Sequence, residues 1–396
     1  MSIAIYTLTS ELHDEQAIRA VSQSFLGSLG IDFVLKGNDF EDYGSHSLSL
    51  IYVRTGGTEG IFKRLLPDLL KRSDAPFYLL TSGKSNSLAA SMEILSYLRQ
   101  RQIRGEIIHG SATYITNRIM ALQKVGEARA QLRGCRLGVV GAPSDWLISS
   151  EADREAVHGK LGIELVDVPM DELVETLAKI PATVSEFTSD NKAVKEALPG
   201  AERIYLALKE IVANHHLKGF TLRCFDLLTS VKNTGCLALA KLNAEGIVAG
   251  CEGDVPALLS MMVVKSLTGV SGFQANPASI DVNTGEMLFA HCTIPLNMVE
   301  RYEFDTHFES GIGVGIRGFM KEGDVTVFKL SGDLKRFFVA EGVLVRNQSK
   351  PDLCRTQQVI QLHDKAQAQY FLNEPIGNHH IIIPGLWGSL LKEMLG

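Results

Sequence analysis

The sequence predicts an α/β protein built from two successive open, doubly wound α/β domains followed by a β-rich, barrel-like C-terminal domain. Three observations predict it. Short β-rich runs alternate with amphipathic helical runs up to residue 133; the alternation restarts at residue 134; and from Phe273 onward short apolar runs are separated by Gly, Asn and Asp. Strand and helix patterns taking turns mark parallel βαβ units with helices on both faces of a sheet, whereas closely spaced short strands with turn residues mark an antiparallel barrel or sandwich. The expected domains are therefore 1–133, 134–272 and 273–396.

In the first domain the strand runs are SIAIYTL, SLSLIYVRTGG, PFYLLTS and GEIIHG. The helical runs between and after them are QAIRAVSQSFLGSLG, GIFKRLLPDLLKRS, NSLAASMEILSYLRQR and YITNRIMALQKVGEARAQLRG. The second domain opens on the strand CRLGVVGAPSDW, continues through EADREAVHGKLG, IELVDVP and MDELVETLAKI, and carries a helical stretch to about His216. GFTLRCFDLL, TGCLALAKLNAEG and IVAGCEGD supply its later strands and helices. The third domain reads as GEMLFAHCTIPL, GIGVGIRGFM, GDVTVFKLSG, RFFVAEGVLVRN and TQQVIQL, with a last apolar strand in IGNHHIIIP.

Composition narrows the function. A chain of 396 residues with 45% hydrophobic and 21% charged residues is globular and long enough for two or three cores. A net charge of -6 gives no reason to expect nucleic acid, which needs clustered Lys and Arg, and the basic runs KRSDAPF and YLRQRQIRGE read as solvated helix faces and ends. The start MSIAIYTLTSELHDE has no signal-peptide pattern, and no run reaches the roughly 18 apolar residues of a membrane span. A cytoplasmic protein is expected. The six cysteines form no CxxC pair, so neither a zinc ribbon nor a disulfide framework is suggested, and they are expected to be reduced and mostly buried.

Ligands of open parallel sheets sit beyond the carboxyl ends of the strands. There GIVAGCEGDVPALLSMM (246–262) places Glu252 and Asp254 after an apolar run and before a helical one. Asp254 reads as the N-cap of a helix beginning at Val255 or Pro256; capping does not account for Glu252, which comes too early and suits a cation or a proton. RTGGTEG, TSGKSNS, GAPSDW and RCFDL are further strand-end loops able to receive hydroxyls or an anion, but none matches a dinucleotide or P-loop motif. His291 lies in a β run, where a satisfied core histidine is the plain alternative to a ligand. His379 and His380 are successive strand residues, so at most one of them faces a shared site. An acid at a strand end with imidazoles from a β domain suits a divalent metal, Mn²⁺ above all.

CEGDVPALLSMMVVKSLTG, FQANP, HCTIP and GNHH together resemble the L-fucose isomerase and L-arabinose isomerase superfamily, which converts aldoses to ketoses with Mn²⁺. THFESGIGVGIRG, VTVFKLSGDLKRFFVAEG and CRTQ are similar to its shorter, fucose-isomerase-like members. The resemblance implies that Glu252 is metal ligand and proton carrier, that His291 is a ligand or substrate contact, and that His379, with His380 as the competing register, is the last ligand. The family's second acid lands on Asn276, which can ligate or hydrogen-bond but cannot take a proton. Glu252 then acts alone, or Asp254, Asp226 or Asp281 stands in, or the chemistry has changed or been lost. His307, Arg317 and Arg355 are candidates for an anionic or polyhydroxylated substrate, with salt bridging inside the β domain as the alternative. The resemblance also implies a homotrimer or homohexamer whose sites are completed by a neighbouring subunit. The reading is a metal-dependent aldose-ketose isomerase of a small or anionic sugar; a non-catalytic sugar-binding protein and an epimerase or decarboxylase on the same metal are the alternatives.

Overall fold

The computed structural model describes residues 2–396, and the chain falls into two compact units, one reaching to Ala130 and one running from Gln131 to Gly396. The first unit holds the parallel strands β1 (Ile3–Leu8), β2 (Val34–Gly37), β3 (Leu48–Val53), β4 (Phe77–Thr81) and β5 (Gly105–Ile108), in the order β2-β1-β3-β4-β5. Alternation along β1 divides its side chains between two cores. Ala4, Tyr6 and Leu8 pack with Phe62, Leu66 and Ile94 of two helices, while Ile3 and Ile5 pack with Leu26, Ile115 and Ile119 of two others. β2 was not expected: it is an edge strand whose Val34 and Leu35 are exposed, so no apolar alternation announces it.

The second unit begins with a parallel sheet of β6 (Arg136–Val140), β7 (Glu164–Val168), β8 (Gly219–Leu222) and β9 (Val248–Cys251), ordered β7-β6-β8-β9. Helices Met170–Lys179, Lys192–Asn214 and Cys236–Ala244 contribute Leu173, Leu177, Ile204, Leu208 and Leu239 to the core over Phe220, Leu222 and Ala249. Helix Val255–Thr268 is buried nearly all round, as expected of a helix enclosed on every side, and packs against both this sheet and the barrel that follows.

The chain then forms β10 (Phe273–Asp281) and β11 (Glu286–His291), an antiparallel ribbon of β12 (Arg301–Asp305) and β13 (Gly315–Phe319), and β14 (Gly323–Leu330), β15 (Phe337–Gln348), β16 (Thr356–Leu362) and β17 (His380–Pro384). All but the ribbon close into a barrel, β10-β11-β16-β15-β14-β17. Every second residue, among them Phe273, Ala275, Met287, Phe289, Val325, Val327, Phe338 and Ile360, fills its core. The doubly wound sheets and the terminal barrel are therefore as the sequence predicts. All six cysteines are free thiols, and no described helix is long and apolar enough to cross a membrane.

Candidate metal centre

The site is built where β9 ends. Glu252 and Gly253 are both left-handed, with φ of 63° and 70°, and this reversal turns the chain from strand into helix within two residues. A Cβ at position 253 would meet the Ala142 carbonyl oxygen at 2.3 Å, so only glycine fits under the loop after β6. That loop grips the turn in return: the Ser144 amide donates to the Glu252 carbonyl at 3.0 Å. Asp254 caps helix Val255–Thr268 through Oδ1, which accepts from the Ala257 amide at 2.8 Å, as the sequence suggested.

Around this turn Glu252 meets two imidazoles carried by the barrel. Glu252 Oε1 lies 3.5 Å from His291 Nε2 and 3.5 Å from His379 Nε2, and the three ligand atoms lie within 4.8 Å of one another. All three side chains are buried, His379 completely. A 3.5 Å separation is too long for a good hydrogen bond, but ligand atoms that share one cation at ~2.1 Å sit about 3.0–3.5 Å apart. His379 Nε2 is buried without a hydrogen-bond partner.

The remaining ring nitrogens are already committed. His379 Nδ1 bonds Asp254 Oδ2 at 2.9 Å, and His291 Nδ1 bonds the Thr293 hydroxyl at 3.0 Å. This is how ligating imidazoles are oriented: one nitrogen is fixed by a neighbour so that Nε2 presents its lone pair. The buried Lys329 ammonium, 3.3 Å from Asp254 Oδ2, supplies the countercharge. The donor set, a carboxylate and two imidazoles with an orphaned nitrogen between them, fits a divalent cation of the Mn²⁺ or Zn²⁺ type.

Electrostatics follow from these contacts. Burial raises the Glu252 carboxyl, but His291 and His379 outweigh it and hold it well below the usual carboxylate range. Burial likewise opposes ionisation of Asp254, and the Lys329 charge with the His379 bond overcomes it. His379 is pulled down by burial and lifted more strongly by Asp254 and Glu252, to about 9; burial keeps His291 below its ordinary value.

The other residues singled out in the sequence are distributed as follows. Asn276 lies on β10 in register with Ala290, the residue before His291, and its Oδ1 is buried without a partner. His380 belongs to the opposite face: its Nε2 meets the Tyr370 hydroxyl at 3.0 Å among Phe338 and Phe371, and burial, with the nearby Lys329 charge, lowers it to about 3. His307 is buried beside Phe225 with Nδ1 on the Ser310 hydroxyl, and burial, then the charge of His291, lowers it to about 4. Arg317 and Arg355 both reach Asp305, at 3.0 and 3.5 Å, and Arg355 also donates to the Thr306 carbonyl. Asp226 pairs with Arg223 at 3.1 Å, and Asp281 takes the Asn283 amide in an exposed turn, so neither carboxylate joins the cluster. Trp146, Thr293 and Lys329 were not singled out in the sequence. A lone lysine inside the apolar alternation of VTVFKL was the signal available for Lys329.

Residues 149–269 match the family model for the L-arabinose isomerase central domain, which covers the segment bearing Glu252. A protein named sulfoquinovose isomerase from Clostridium sp. (strain MSTE9) is 28% identical over 191 residues, covering 45% of this chain and 42% of that protein. Proteins of the same name from Priestia aryabhattai and Priestia megaterium (strain ATCC 12872 / QMB1551) are each 22% identical over 262 residues, covering 62% of this chain and 59% of theirs. The chain thus spans about half the length of the curated relatives it matches. The central-domain match and these relatives make the chain similar, over the matched parts, to the isomerases of the L-fucose and L-arabinose isomerase superfamily.

Proposed function

We propose that the chain interconverts an aldose and a ketose, using a divalent cation, Mn²⁺ first among candidates, held by Glu252, His291 and His379. The observation that carries this reading is the convergence of Glu252 Oε1 with two imidazole Nε2 atoms at 3.5 Å while each ring's other nitrogen is engaged. When bound, such a cation polarises the carbonyl and hydroxyl oxygens of the sugar. Glu252 then carries the proton from C2 of the aldose to C1 through an enediol, and its buried, ionised carboxylate is placed to do so. Asn276 adds an amide oxygen for the cation or a sugar hydroxyl, which leaves Glu252 as the proton carrier.

The relatives' name points to sulfoquinovose, a sulfonated hexose, as the first substrate to try. Arg355 is the candidate for an anionic substrate, because it directly precedes Thr356, the residue in register with His291. We further propose a homotrimer or homohexamer, checked by mass photometry. The deciding experiment is NMR of sulfoquinovose and neutral hexoses in D₂O with the protein plus Mn²⁺ or plus a chelator. Metal-dependent ketose formation is expected, with deuterium entering at C1 of the ketose and, through the reverse reaction, at C2 of the aldose. Binding without exchange would instead favour a sugar sensor, a reading the amide at position 276 keeps in view, and a different product would favour epimerisation or decarboxylation.

A further inference from the structure

The carboxylate at the centre of the site is not symmetric. Oε1 faces the two imidazoles, while Oε2 accepts a hydrogen bond from the Trp146 indole Nε1 at 2.8 Å. Trp146 is 51% exposed, so its burial in an apolar core is not what holds it there. Its loop is held instead by Arg223, whose guanidinium bonds the Pro143 carbonyl at 2.6 Å and both carboxylate oxygens of Asp145, at 3.2 and 2.9 Å. The same loop binds the Glu252 backbone through the Ser144 amide, and the indole meets Phe225 edge-on at 4.8 Å. An arginine-braced loop therefore delivers one N–H to one oxygen of the metal-binding carboxylate.

Resting on the isomerase reading above, we propose that Trp146 is a positioning residue that keeps Glu252 monodentate, with Oε1 for the cation and Oε2 held away from it. A carboxylate wrapped around a cation by both oxygens has poor access to a substrate proton. One held by an indole through a single lone pair of Oε2 keeps the other lone pair free to accept the C2 proton and return it to C1. The indole thus serves proton transfer more than metal affinity, and this separates it from a residue that merely supports the fold.

The test uses the full chain. The sequence has two tryptophans, so Trp387→Phe leaves Trp146 as the sole indole emitter, and Mn²⁺ is titrated into that protein. Saturable quenching at one ion per chain is expected, and Glu252→Gln is expected to abolish it. In Trp146→Phe, which keeps a ring and loses the donor, calorimetry should show Mn²⁺ bound as tightly or more tightly, with kcat for the isomerised sugar at least about tenfold lower and KM within about threefold, the scale of one hydrogen bond to a charged group. Arg223→Met, which frees the loop, should lower kcat in the same way and decides the matter if Trp146→Phe does not fold. Emission indifferent to bound Mn²⁺, an unchanged kcat, or metal affinity and kcat falling together would overturn the inference while leaving the isomerase reading standing. If the wild type binds no divalent cation, both fail. If Mn²⁺ binds but no sugar is converted, the isomerase reading fails, and the emission and affinity measurements alone decide the role of Trp146.

Discussion

The two parallel sheets end in opposite ways. Beyond the strands of the first sheet, polar groups satisfy one another: Arg54 donates to Ser22, Thr9 and Glu15, the Thr55 hydroxyl takes the Ser10 amide, and Thr81 bonds Ser87 at 2.7 Å. Beyond β9 a carboxylate and two imidazoles converge at distances too long for mutual hydrogen bonds, with His379 Nε2 left without a partner. Both are open sheets with strand-end loops, so topology alone does not bring such groups together. What differs is a second element, the barrel, which supplies buried side chains whose needs the chain itself does not meet.

The sharpest way to break this contrast is Glu252→Gln. On the proposed roles of proton carrier and ligand it should lower isomerisation by about a thousandfold or more, and NMR turnover with metal analysis reads both losses. Next comes Asp254→Asn, which removes the charge orienting His379. Mn²⁺ affinity measured by calorimetry should fall about 10–100-fold and stability by about 1–3 kcal/mol, because Lys329 loses its buried counterion. Glu15→Gln, breaking the exposed pair with Arg54, should cost no more than about 1 kcal/mol in urea unfolding and leave Mn²⁺ binding unchanged.

His380 and His307 are held neutral by burial, lowered to about 3 and about 4, so the unfolded chain binds more protons as pH falls below their ordinary value of 6.5. Their contribution to stability is therefore complete above pH 6.5 and is lost on acidification towards those folded values, at up to about 1.4 kcal/mol per pH unit for each. Urea melts from pH 7 to 4 should show this slope. His380→Phe should remove one group's share of it without changing Mn²⁺ binding, whereas His379→Phe should abolish that binding.

Much of this was legible in the chain. The doubly wound sheets followed from alternating patterns, and Glu252 stood out because charge after an apolar strand and before a helix has no packing reason. The choice between His379 and His380 was not legible: neighbours in a strand face opposite sides, and only the barrel's register, Ala275 against His380, fixes which side is core. Trp146 reaches Glu252 across 106 positions through the strand order of one sheet, and Lys329 reaches Asp254 across 75 through the packing of that sheet on the barrel. Thr293 looked like an ordinary strand residue.

The left-handed turn at Glu252 carries a last consequence. A non-glycine residue there bears roughly 1–2 kcal/mol of backbone strain that glycine would relieve. Selection for heat resistance alone would push this position towards glycine, whereas the proposed site needs a carboxylate there. Anyone hardening this protein for use should fix residue 252 before searching elsewhere.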